Sequence, residues 1–121
     1  MTNQRELGTL FSGLRAAVTV ADEEGRIVFL NDRAIAHYQY GGGEVLIGTS
    51  LYDCHNESSQ DKIDSLYARY RAGDLIPTRY YEDRGDGTAQ SVVLIPIAVE
   101  GHFRGVAELI WDEQPDPACD I

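Results

Sequence analysis

The sequence predicts an α+β domain: one antiparallel sheet with helices on one face and a short helix at the N-terminus. Three observations lead there. Short β-rich runs flank a helical block, two ahead of it and three behind. Gly-containing turns join neighbouring runs, the arrangement of consecutive antiparallel strands. At 121 residues the chain can bury one hydrophobic core but hardly two.

Residues 5 to 14, RELGTLFSGL, place Leu7, Leu10, Phe11 and Leu14 at spacings of three, four and seven. That is one apolar stripe on a short amphipathic helix. AAVTVAD and RIVFLN then read as two strands joined by the turn DEEG, where Gly25 can take the positive φ a tight loop needs. After Asn31 the segment DRAIAHYQY is helix-compatible and Gly41-Gly42-Gly43 breaks it. EVLIG reads as a helical turn ending at Gly48.

A stronger helix is expected from Ser58, because Ile63, Leu66, Tyr67 and Tyr70 fall at i, i+3, i+4 and i+7. Ser58 and Asp61 resemble a capping box, and Gly73 is a natural stop. TRYYED, SVVLIPIAV and HFRGVAELIWD complete the strands. Pro96 has no N–H to donate, so the middle run is expected at a sheet edge or across a bulge. The expected organisation is an N-terminal amphipathic helix at 1–14, a folded domain at 15–112, and a flexible acidic tail or linker at 113–121.

Ten basic residues against twenty acidic ones give a formal charge of −10. A phosphate backbone would be repelled, so direct nucleic-acid binding is excluded; any control of transcription needs another domain or partner. Cys54 and Cys119 form no disulfide framework, which points to a reducing, cytoplasmic setting. No apolar run approaches the roughly 18 residues of a membrane span, and the N-terminus lacks the pattern of a signal peptide.

The order of elements, together with VTVADEEGRIVFLND, the Ala34-x-x-x-Tyr38 segment after Asn31, Ile47-Gly48 and the final GVAELIWDE, resembles a PAS domain. The similarity covers roughly residues 10 to 112. It implies a five-stranded antiparallel sheet and a sensory or interaction role. It also implies a homodimer formed through the N-terminal helix, signalling to an output domain or partner, and often a ligand held against the sheet.

One loop narrows the resemblance. Cys54-His55-Asn56-Glu57-Ser58-Ser59-Gln60-Asp61-Lys62-Ile63 is similar to a loop in a PAS subgroup, with His55, Ser59, Lys62 and Ile63 matching and Asn56 standing where proline is usual. The subgroup includes haem-binding PAS domains of carbon-monoxide-responsive regulators and PAS domains that accompany hemerythrin-like domains. For the haem branch it implies haem iron ligated by His55, hence sensing of a diatomic gas or redox state. No cysteine lies between 54 and 119, and the only methionine is Met1, so the second ligand of that branch has no counterpart.

From the residues themselves, a neutral imidazole ligates haem iron well, and one proximal histidine suffices. Tyr38 and Ile35 from the preceding helix, Ile63, Leu66 and Tyr67 from the following one, and Leu94 within Ser91–Val99 are the expected apolar lining, closed by Phe103–Trp111. On a helix extended back to residue 54, His55 falls about 70° from the centre of the apolar stripe and Cys54 on the opposite side. His55 is therefore the candidate metal ligand and Cys54 a packing residue. The bland alternative makes His55 a loop residue bonded to backbone. No second C-x-x-C or H-x-H supports zinc.

Tyr80 and Tyr81 read as ordinary half-buried strand tyrosines, and His37 and His102 as surface residues. No nucleophile, base and orienting group occur together, so no catalytic residue is expected and the chain does not read as an enzyme. Two functions remain open from the sequence: a haem-based gas or redox sensor, and a cofactor-free module for dimerisation or for binding a small organic ligand. The second is favoured if Tyr38, Tyr67 and Leu94 fill the cavity. A small cone-shaped α+β enzyme is a third class, but it would need convergent acid and base groups.

Overall fold

All five β-rich runs form strands: β1 (Ala17–Asp22), β2 (Ile27–Leu30), β3 (Thr78–Asp83), β4 (Ala89–Val99) and β5 (His102–Glu113). They make one antiparallel sheet in the order β2-β1-β5-β4-β3. This is a computed structural model, and it describes residues 3–38, 43–51, 57–83 and 85–113. Helices α1 (Gln4–Ser12), α2 (Asp32–His37) and α3 (Glu57–Arg71), with a 3-10 turn at Gly43–Leu46, complete the fold.

Strand alternation gives the sheet an inner and an outer face. Ala17, Ile27, Leu30, Val92 and Ile110 turn inward with Ala34 of α2 and form one buried cluster. A second cluster joins Tyr67 and Tyr70 of α3 to Val106, with Leu94 and Phe103 packed beside them. Leu51 packs against both, so the core is continuous. Helix α1 lies on the other side: Phe11 meets Phe29 edge-on at 6.4 Å. Phe29 pairs with Val20 and stands between the inward residues Ile27 and Leu30 in β2.

Asn31 ties these layers together. Its Oδ1 accepts from the amides of Val18 and Ala34, both at 2.9 Å. Its Nδ2 donates to the carbonyls of Phe11 at 3.0 Å and Ala16 at 2.9 Å. The residue expected only to end a strand thus caps α2 and clamps the end of α1 onto the start of β1.

The turns obey local chemistry. Gly25 closes the first hairpin at φ 84°, a conformation that costs glycine little. Helix α3 starts at Glu57, one residue ahead of the expected Ser58, and stops before Gly73, whose φ is 98°. The proposed Ser58 cap lies outside the described side chains.

Pro96 is placed as its missing N–H requires, though in an inner strand. Strand β3 pairs with β4 only as far as Leu94, so Pro96 has an open neighbour on that side, and β4 is irregular just beyond it, between Ile97 and Ala98. At the opposite edge, Ile27 bonds Thr49 and Gly48 bonds Ile27, covering the free side of β2. Among the described residues no helix is long and apolar enough to cross a membrane.

Candidate functional site

The inner face of β3, β4 and β5 carries a polar set within an otherwise apolar layer. Glu108 sits in the central strand β5, opposite Thr19 on one side and Leu94 on the other. Neighbours two residues away in the same strand, Val106 and Ile110, are buried inward, so alternation turns Glu108 inward as well. Tyr38, at the C-terminal end of α2, donates its hydroxyl to Glu108 Oε1 at 2.7 Å. Tyr80 pairs with the core residue Val92 and shares the face. Beside it, Gln90 Nε2 donates to Glu82 Oε2 at 2.5 Å.

Partial burial pushes the Tyr80 hydroxyl up to about 12, with repulsion from Glu108 and then Glu82 adding to the effect. Near neutral pH Tyr80 therefore stays a hydrogen-bond donor. Tyr80 and Glu108 suit recognition of a polar ligand. Among the described residues no nucleophile, base and orienting group converge here.

The predicted lining residues divide between the two core clusters. Ile63, Leu66, Tyr67 and Leu94 come together in the second, while Ile35 and Tyr38 pack against the first. His55 and Cys54 lie outside the described residues. His37 and His102 are exposed, as their sequence positions suggested. Tyr80 is a half-buried strand tyrosine, as read from the sequence, and it borders the polar set. Glu108 was missed. The signal for it was Val106-Glu108-Ile110, an acid in phase with two buried apolar residues.

Haem needs a broad apolar slot, and the described residues fit it poorly. Tyr67 and Tyr70 are only 2% and 0% exposed and already occupy the space under α3. Tyr67 donates its hydroxyl to the Asp22 carbonyl at 2.9 Å, and Tyr70 bonds the Leu94 carbonyl at 3.3 Å. Phe103 meets Tyr67 edge-on, and Val106 packs in the same cluster, which closes the space further. The floor nearby carries the Glu108 carboxylate. Among the described residues no three His, Cys, Asp or Glu side chains gather as a metal site.

Comparison with known proteins agrees with this architecture. The chain is similar to the C-terminal domain of a Streptococcus mutans protein, with a TM-score of 0.80 and 18% identity over 94% of this chain and 87% of that one. It is similar to a sensory box sensor histidine kinase from Vibrio cholerae, with a TM-score of 0.67 and 16% identity over 91% of this chain and 90% of that one. The PAS domain of BvgS from Bordetella pertussis matches with a TM-score of 0.66 and 18% identity over 91% of this chain and 85% of that one. A search of curated protein sequences finds no match. A family profile described as the PAS fold matches residues 11–114. With that profile spanning most of its length, the chain belongs to the PAS family.

Proposed function

We propose that this chain is a non-catalytic, cytoplasmic sensory module of a signalling or transcription-regulatory protein, and that it binds a small polar organic ligand between its helices and the inner face of its sheet. One observation carries the reading: a carboxylate, Glu108, faces inward from the central strand, with the Tyr38 hydroxyl on it and the protonated Tyr80 nearby. Core packing alone gains little from a carboxylate there, because desolvating a charge is unfavourable. Such groups are retained for recognition more often than for stability. The filled space around Tyr67 supports the cofactor-free alternative.

Native mass spectrometry of protein purified from the expressing cells tests this. Wild-type protein is expected to carry a small organic adduct that the Tyr38→Phe/Glu108→Leu double variant lacks. An adduct of equal occupancy in both would argue against the site.

A second reading is carried by the loop sequence, in which His55, Ser59, Lys62 and Ile63 match the haem-binding subgroup. Under it His55 ligates haem and the signal is a gas or redox change. Titration with haemin separates the readings: a saturable Soret band abolished by His55→Ala supports haem, and weak, His55-independent absorbance supports the polar ligand.

The module acts as a homodimer formed through α1. No residue of that helix is buried, and Leu7, Leu10, Phe11 and Leu14 are exposed along one stripe. Sensor histidine kinases among its structural neighbours support a signalling partner or output domain.

A further inference from the structure

A groove of about 480 Å³ opens where the chain enters β1 and leaves β5, away from the Glu108 set. Leu14, Ala16, Leu109 and Trp111 give it an apolar lining; Arg15, Arg33 and Asp112 supply its charges. We propose that this groove binds an organic monocarboxylate with a flat apolar body, such as an aromatic acid.

Charge makes the first argument. Two arginines stand at the groove, Arg15 and Arg33. Among the described residues neither Arg15 nor Arg33 makes an ion pair or side-chain hydrogen bond, so both guanidiniums can turn to a ligand in the groove. Guanidinium groups present fork-shaped donors matched to a carboxylate. Two of them against the single carboxylate of Asp112 leave the groove with one net positive charge. That balance suits a monoanion better than phosphate or a dicarboxylate.

The walls make the second argument. Both arginine-bearing segments are anchored to the same side chain: Asn31 Nδ2 holds the Ala16 carbonyl beside Arg15, and Asn31 Oδ1 holds the first turn of α2, where Arg33 sits. The backbone that carries the two arginines is thus held in place, which leaves only their side chains to be ordered on binding. Trp111 and Leu109 alternate outward along β5 and offer the apolar surface that inorganic anions would leave unused. Volume is also suitable, since small-molecule sites run from roughly 300 to 1,000 Å³.

Trp111 is the only tryptophan in the chain, so its fluorescence reports on this groove directly. The probe is benzoate, compared with the neutral isostere benzamide and with inorganic phosphate. Benzoate is expected to give a saturable change in tryptophan emission. Benzamide and phosphate are each expected to bind at least about tenfold more weakly, as the loss of a charge-assisted bond or of the apolar contact predicts. Arg15→Gln/Arg33→Gln should weaken benzoate by a similar factor, with circular dichroism confirming the fold, while Arg104→Gln, outside the groove, leaves it unchanged. The proposal is overturned by the absence of a saturable response to benzoate, by equal binding of benzamide, or by a double-arginine variant that titrates like wild type.

Discussion

Four hydrogen bonds converge on the Asn31 carboxamide, which is 1% exposed. Asn31→Asp keeps the oxygen that caps α2 but sets a carboxylate against the carbonyls of Phe11 and Ala16. Urea unfolding should show a loss of about 2–4 kcal/mol, the range for an uncompensated buried polar group. Gly105 is fixed by space: a Cβ there would stand 2.3 Å from the Ala21 carbonyl oxygen. Gly105→Ala is expected to cost about 1–3 kcal/mol by overpacking, measured in the same way. Tyr80 makes a pH prediction. Its folded pKa, about 12, lies above the 10.0 usual for tyrosine, so the native state holds the proton longer than the unfolded chain. Its contribution is intact below pH 10.0 and is lost as pH rises towards about 12. In Tyr80→Phe the alkaline fall in stability between those values should be shallower than in wild type. Sequence reasoning saw Asn31 only as a strand end, because three of its four partners, at Phe11, Ala16 and Val18, lie far back along the chain. It missed Glu108 because an acid in a strand reads as solvent-facing until its register is known.

Elements were the most legible level. Ile63, Leu66, Tyr67 and Tyr70 repeat at the helical period, and all four lie in or against the core cluster beneath α3. Pro96 shows what periodicity leaves out. Its lack of an N–H correctly called for an edge or bulge, yet β4 is an inner strand, and only the early end of β3 at Thr78 reconciles the two. The inner surface was harder to read, since it depends on which strands meet across the sheet: β1 lies beside β5, far away in sequence. For α1 the exposed stripe leads to a test. Leu10, 65% exposed, should tolerate Leu10→Glu with little change in monomer stability. Light scattering coupled to size exclusion should then show the dimer weakened towards monomer. An unchanged dimer would place the interface elsewhere.

Over the whole molecule, the two faces of the sheet have different chemistry. Inward, Glu108, Tyr38 and Tyr80 interrupt an apolar core; outward, α1 carries its unburied stripe, and Asn31 links that helix to the sheet and α2. A ligand that rearranges the Tyr38–Glu108 bond acts at the end of α2, whose first turn Asn31 also caps. That is the proposed route from ligand to dimer. The central claim is that the inner polar set serves recognition and is not needed for folding. Urea unfolding of Tyr38→Phe/Glu108→Leu tests it most directly, because removing both partners leaves no orphaned group. The double variant should be as stable as wild type or more so. A loss of more than about 1 kcal/mol, the worth of a typical structural hydrogen bond, would contradict it.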